Sequence, residues 1–199
     1  VSKDKSEWDY FLNAEKHIES SIQNIEKSNL SIESASAALT AYALLGGEIT
    51  KEKKEVIQET FLTGRCELIN KRFLVDVSHN PASIRYLVDF IKEKFKTKKF
   101  ITAVFGVMSD KDVRGMIQSL LPLVDYWYAT SPNIDRAMNP KEIISILEEE
   151  GISKAEEVKR VSEAVSKADK HSPEEGLVLI FGSFYTLSEA VPVLNSFGP

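Results

Sequence analysis

Beyond Gly64 the chain falls into one rhythm, in which short, almost continuously apolar runs alternate with longer amphipathic stretches. The runs are FLVDV (Phe73 to Val77), FITAVFGV (Phe100 to Val107), YWYAT (Tyr126 to Thr130), EVKRV (Glu157 to Val161) and LVLIFG (Leu177 to Gly182). A strand covered on one face alternates apolar and polar residues, whereas runs of this kind fit strands buried on both faces. Between them, Pro81 to Phe95 carries Ile84, Leu87, Val88, Ile91 and Phe95 at helical spacing, and Val113 to Val124 carries Met116, Ile117, Leu120 and Leu121. Asn139-Pro140 opens a third helix with Asn as cap and Pro in the first position. Glu142 completes a capping box there, and Gly151 ends the helix. Ser162 to Lys170 and Tyr185 to Leu194 supply a fourth and a fifth helix. The pattern predicts an α/β domain with a mostly parallel sheet and helices on both faces.

Upstream the grammar differs. Ser34 to Leu45 reads as a helix with Ala38, Leu39, Tyr42 and Leu45 inward, stopped by Gly46-Gly47. Thr50 caps a second helix running to Phe61, with Val56, Ile57 and Phe61 inward, and the two suggest a helical hairpin. Trp8 to Leu30 stays unassigned, because Ala14, Ile18, Ile22 and Ile25 fit a helix while the β-branched content equally allows short strands. The boundary falls at Thr63, giving segments 1–62 and 63–199. The polar start VSKDKSEWDY, which lacks a methionine, reads as the continuation of something longer.

Charge narrows the partners. With 25 basic and 30 acidic residues, a net charge of −5 provides no broad cationic field for a phosphate backbone, so nucleic acid is not expected as a partner. No apolar run approaches the roughly 18 to 20 residues of a membrane span, and no signal peptide is evident, so a cytoplasmic protein free of membranes is expected. One cysteine, Cys66, and three histidines form no zinc pattern, so no metal ligands are expected in this chain. Cys66 reads as a small strand residue.

In an open parallel sheet, ligands bind beyond the carboxyl ends of the strands, beside helix N-termini. DVSHNP places Asp76 at the end of one strand, His79 and Asn80 in the turn, and Pro81 at the start of a helix. VMSDKD places Lys111 between two acids at a second exit, SPNIDRA places Arg136 at a third, and FGSFYT places Gly182-Ser183 at a fourth. Arg65, directly after Gly64 at the boundary, offers a planar guanidinium for phosphate oxygens. Each has a blander reading as well. Asp76 and Asn80 suit a turn and a cap, His79 and Lys111 suit solvent, Asp110 or Asp112 suits a helix cap, and Arg65 suits a backbone bond at a hinge.

Taken in order, GRCELI, FLVDVSHNP, AVFGVMSDKD, WYATSPNIDRA and LIFGSFYTLSEAV resemble the C-terminal part of the Mur ligase superfamily over roughly Trp8 to Leu194. The likeness is greatest to folylpolyglutamate synthase and its bifunctional relative dihydrofolate synthase. D-x-x-H-N-P followed by G-x-x-x-D-K-D is its most specific part. The resemblance implies a Rossmann-like C-terminal glutamate ligase domain at 63–199, preceded at 1–62 by the helical tail of a truncated central ATPase domain. It further implies ATP-driven amide formation, in which a folate carboxylate attacks the γ-phosphate and the amine of L-glutamate captures the acyl phosphate. ATP and Mg2+ are the implied cofactors, and L-glutamate with folate or dihydropteroate the implied substrates of a monomer. No G-K dipeptide occurs, so the phosphate loop G-x-x-G-K-[ST] is absent from these residues. The magnesium ligands and the family's carbamylated lysine are expected upstream with it.

By the same resemblance, Arg65 reaches the ATP phosphates, Asp76 bonds the nucleotide at its ribose, and His79 lies near the reacting phosphates as the catalytic candidate. Lys111 and Ser183 hold the glutamate carboxylates, with Asn80 a further candidate. Where the family has an adenine-contacting asparagine, this chain has Ser34, which lacks the paired donor and acceptor of an amide. Two other readings remain: a different Mur-type amino-acid ligase, or a non-catalytic module binding a nucleotide or amino acid.

Overall fold

The computed structural model describes residues 7–14, 18–26 and 30–198, and the polar lead-in at 1–6 lies outside them. It divides into two compact units, Val1–Thr63 and Gly64–Pro199.

Among the described residues the second unit builds a six-stranded sheet. Its strands are β3 (Glu67–Ile69), β4 (Phe73–Asp76), β5 (Ile101–Phe105), β6 (Tyr126–Ala129), β7 (Ala155–Glu157) and β8 (Leu177–Phe181), ordered β3-β4-β8-β5-β6-β7. All pairs are parallel except β3 with β4, a hairpin. The pattern of two separates the residues facing each side. Leu74, Ala103, Phe105, Trp127, Leu179 and Phe181 face α3 (Pro81–Lys94), α4 (Val113–Leu120) and α5 (Pro140–Glu149). Phe73, Val75, Val104, Tyr128, Val178 and Ile180 face α6 (Val161–His171) and α7 (Phe184–Ser196). Strands β4, β5 and β8 are buried at every position, which is why their sequences show no polar alternation.

Two sequence details shift. The strand read at Glu157 to Val161 lies earlier, at Ala155–Glu157, which leaves Lys159 and Arg160 in the following loop. Asn139 caps α5 through the Lys141 N–H at 3.0 Å, and no Glu142 capping box accompanies it. A reciprocal box does form at α3, where Asn80 Oδ1 accepts from Ser83 N at 2.9 Å and Ser83 Oγ from Asn80 N at 3.4 Å.

In the first unit the segment left open is an antiparallel pair, β1 (Glu7–Ala14) and β2 (Ile18–Glu26). Ile22 and Ile25 are three apart, a helical spacing, yet both are buried, opposite Tyr10 and Trp8, which are two apart. A bulge reconciles the two spacings: Asn24 has φ 56° and donates its N–H to Asp9 Oδ1 at 2.8 Å. The side chains of Ala14 and Ile18 lie outside the described residues. On this hairpin pack α1 (Ile32–Leu44) and α2 (Glu52–Glu59), which share one apolar cluster with it.

The buried stripe of α1 is Ala35, Leu39 and Ala43, so Tyr42 and Leu45 face out, contrary to the spacing-based reading. From Ala37 onward Thr40 and Tyr42 are the only polar side chains on this helix, so little marks its inner face. On α2 only Ile57 is buried and Val56 is half exposed; the helix ends at Glu59, short of the half-exposed Phe61, and Lys51 rather than Thr50 precedes it. Ile57→Ala is therefore expected to cost about 2 kcal/mol or more in urea unfolding. Val56→Ala is expected to stay within about 0.5 kcal/mol. The reverse order would restore the other face of α2 as the inner one.

Candidate functional site

Parallel pairing sets Asp76, Phe181, Phe105, Ala129 and Glu157 side by side, so the exits of β4, β8, β5, β6 and β7 line one edge in that order. The chain leaves β4, β5 and β6 toward α3, α4 and α5 on one face, but leaves β7 and β8 toward α6 and α7 on the other. Neighbouring exits therefore diverge at β4/β8, β8/β5 and β6/β7, the places where an open α/β sheet forms ligand crevices.

At the β4 exit Asp76 is buried and tied inward. Its Oδ2 accepts from Cys66 N at 2.8 Å and lies 3.5 Å from Cys66 Sγ, while Oδ1 accepts from Ser78 N at 2.7 Å. Gly64 O accepts from Val77 N at 2.8 Å. These bonds on either side hold Arg65 next to the β4 exit. Arg65 belongs to the second unit, and among the described residues its half-buried side chain has no ion-pair partner. A carboxylate has about four lone-pair directions, so Asp76 retains little beyond its structural bonds. His79 Nδ1 lies 3.0 Å from Val77 O; since a carbonyl only accepts, Nδ1 donates. Nε2 is then an acceptor in the neutral ring and would bond a phosphate oxygen only when protonated.

Cys66 lies just before β3, not in a strand, and is buried with φ 45°. Burial pushes its thiol well above the ordinary range, and the adjacent Asp76 carboxylate adds to the shift.

Exits β8 and β5 are pressed together. Gly182 has φ 116°, and a Cβ there would lie 2.3 Å from Gly106 O. Thr186, fully buried and not singled out from the sequence, donates its hydroxyl to Gly106 O at 2.6 Å. Ser183 Oγ caps α7 through Thr186 N at 3.0 Å and lies 2.8 Å from Thr186 Oγ1. With the Thr186 proton given to Gly106, Ser183 must donate the bond between the two hydroxyls. Its single proton is thus spent inside the fold, and what Ser183 presents outward is backbone. The stacked rings of Phe105 and Phe181, 4.6 Å apart, lie directly beneath these glycines.

Between the β5 and β6 exits, Lys111 Nζ donates to Asp110 Oδ2 at 2.7 Å, and Arg136 approaches Asp110 Oδ1 at 3.8 Å. The bonded Lys111 ammonium holds the Asp110 carboxyl below its ordinary range. Asp112 is the cap of α4, accepting from Gly115 N at 2.9 Å. Asn80 is likewise a cap, which leaves only its side-chain NH2 uncommitted. Ser34 belongs to the first unit, on α1, where its N–H and hydroxyl both bond Ser31 Oγ at the helix start.

The edge therefore carries a β4 group of Arg65, Asp76 and His79 and a β5/β6 group of Lys111, Asp110 and Arg136, with the glycine contact between them. Residues 64–184 match the model of the Mur ligase, glutamate ligase domain family.

The chain belongs to the Mur ligase family.

A dihydrofolate synthase/folylpolyglutamate synthase of Buchnera aphidicola subsp. Baizongia pistaciae is 34% identical over 81% of this chain and 38% of its own length. Among solved structures, E. coli FolC in complex with DHPP and ADP superposes with a TM-score of 0.84 at 24% identity, over 100% of this chain and 46% of that one. A bifunctional folylpolyglutamate synthase/dihydrofolate synthase with Mn, AMPPNP and L-glutamate bound gives 0.78 at 24% identity, over 88% and 42%. The chain thus spans less than half the length of these relatives. Within the ligase domain, no three His, Cys, Asp or Glu side chains cluster as a metal ion requires, a statement that holds for all the described residues. No described helix is long and apolar enough to cross a membrane.

Two outcomes follow. Gly182→Ala combines a strained φ with a backbone clash and is expected to cost about 2 kcal/mol or more in denaturant unfolding; an unchanged midpoint would remove the contact from the site's framework. Cys66 is expected to resist alkylation in the native state at pH 8, and Asp76→Asn to speed it by removing the nearby charge. A raised thiol contributes stability below the ordinary thiol range near pH 8.5 and loses it as pH climbs above that range. Rapid native alkylation that the variant leaves unchanged would contradict the geometry.

Proposed function

We propose that this chain is the C-terminal part of an ATP-dependent ligase that joins L-glutamate to folates through an acyl phosphate. The β4 group serves the nucleotide and the β5/β6 group serves the incoming amino acid. The observation that carries this reading is the separation of the two groups along one edge. Arg65, without an ion-pair partner among the described residues, and His79 flank one exit, while Lys111 and Arg136 share a single carboxylate two strands away.

Phosphoryl transfer to a carboxylate demands positioning and charge neutralisation more than covalent chemistry. Arg65 suits the second task, since a planar guanidinium can fork onto two phosphate oxygens. Asp76 acts by holding Arg65 and the 77–80 turn in place, with a ribose hydroxyl as its further partner. His79, once protonated at Nε2, supplies another donor near the transferring group.

On the amino-acid side, Lys111 and Arg136 already converge on one carboxylate, Asp110, and so are placed to receive another. Ser183 and Asn80 contribute through the backbone and the side-chain amide at neighbouring helix starts. ATP carries a divalent ion, Mg2+ on this reading, and among the described residues no cluster of His, Cys, Asp or Glu is built to hold one. The adenine contact assigned to Ser34 would use the hydroxyl now engaged with Ser31. Residues 1–62 then belong to the ATPase part and 63–199 to the glutamate ligase part of a cytoplasmic monomer.

A second reading, a binding module without catalysis, draws on one fact, the missing G-K dipeptide. An assay of the full reading frame that encodes this chain separates the two, using ATP, Mg2+, L-glutamate and either folate or dihydropteroate. Ligation is expected there and none from residues 1–199 alone; turnover by the short polypeptide would refute the assignment of roles. In the active protein, Arg65→Ala and Asp76→Ala are each expected to lower kcat/KM for ATP at least about tenfold, or about 1.4 kcal/mol. Wild-type kinetics in both would take these residues out of the nucleotide site.

A further inference from the structure

One opening on the carboxyl edge does not coincide with either group. A cleft of about 1040 Å³ lies at the β6 and β7 exits, where the chain departs to opposite faces of the sheet. Its walls carry Lys141 from the start of α5 and Lys159 and Arg160 from the loop before α6. All three are exposed, and among the described residues none has an ion-pair partner. Arg160 gives α6 no side-chain cap, so the positive end of that helix adds to the same potential. Three carboxylates face these cations. Glu189 is committed, accepting from Asn133 N at 2.7 Å, but Asp135 and Glu157 are not.

Glu189 keeps its charge while accepting that bond, so three cations stand against three carboxylates and the cleft offers both signs, with the open helix start tipping it toward anions. A phosphate would satisfy only the cations. Both signs in one cleft match a zwitterion, and three cations beside an open helix start can receive two carboxylates while Asp135 and Glu157 receive one ammonium. The volume stands at the upper end of the roughly 300 to 1,000 Å³ of small-molecule sites, ample for an amino acid with its water.

We propose that this cleft is a second amino-acid site, which holds an acidic α-amino acid as the zwitterion. Its carboxylates lie toward Lys141, Lys159 and Arg160 and its ammonium toward Asp135 and Glu157. A carboxylate-lined place favours the protonated amine, which has no lone pair for attack. The cleft therefore holds the amino acid in an unreactive form, separate from the Lys111 and Arg136 group where the donor is proposed to react. The identity of the ligand as L-glutamate rests on the proposed ligase reading; the charge pattern does not.

Amide chemical-shift mapping of the 199-residue chain, titrated with L-glutamate from about 10 µM to 10 mM to bracket ordinary KM values, tests the site without turnover. Saturable shifts are expected in 131–141 and 157–163. Lys159→Glu with Arg160→Glu should weaken them at least about tenfold, Lys159→Gln should do so in part, and Lys111→Ala should leave them within about twofold. Glutarate, which lacks the amine, and inorganic phosphate should each bind more weakly than glutamate. Absence of saturable shifts, equal binding of glutarate, or loss through Lys111→Ala alone would each overturn the site. Failure of the ligase assay with these shifts intact would count against the ligase reading only.

Discussion

One buried carboxylate organises the start of the ligase domain. Asp76 ends β4, yet its bonds run backward to the backbone of Cys66 and forward to that of Ser78, so it fixes both segments that flank the β4 exit. A buried charge is costly unless its lone pairs are met, and here backbone N–H groups meet them. Arg65 and His79 owe their common position to this arrangement. Replacing the carboxylate leaves buried donors without partners, so effects on the site and on the fold arise from the same bonds.

The rest of the edge depends on close backbone approach. Gly182 reaches the Gly106 carbonyl because it has no Cβ, Thr186 bonds the same carbonyl, and the missing Cβ of Gly106 leaves room for the Thr186 hydroxyl. That contact separates the cluster at β4 from the cluster at β5 and β6 and makes the floor between them rigid. It also explains why Ser183, placed by its neighbours, has no hydroxyl proton to offer a ligand. In such a domain the glycines decide how near a ligand at the exits could come to the sheet.

Much of this was legible in the sequence because both faces of the sheet are covered. Runs such as LVLIF are apolar throughout, and polar residues at their ends stand out at once. The first unit was less legible for a physical reason: the bulge at Asn24 gives β2 an inward spacing of three that imitates a helix. On α1, small apolar residues surround the axis, so spacing alone could not separate the buried stripe of Ala35, Leu39 and Ala43 from the exposed Tyr42 and Leu45. Lys159 and Arg160 went unnoticed because EVKRV has the composition of a strand, whereas pairing with β6 stops at Glu157. Thr186 left no local signal, since its partner Gly106 is 80 residues away.

On the proposed reading, ligands meet this domain at the carboxyl edge of its parallel strands. Hydrogen exchange on the full-length protein, with and without ATP, L-glutamate and folate together, measures that most directly. The account requires added protection in 64–66, 77–80, 106–112 and 130–139, and none in the loops at the opposite edge, 95–100, 121–125 and 172–176. Protection confined to those opposite loops would contradict it.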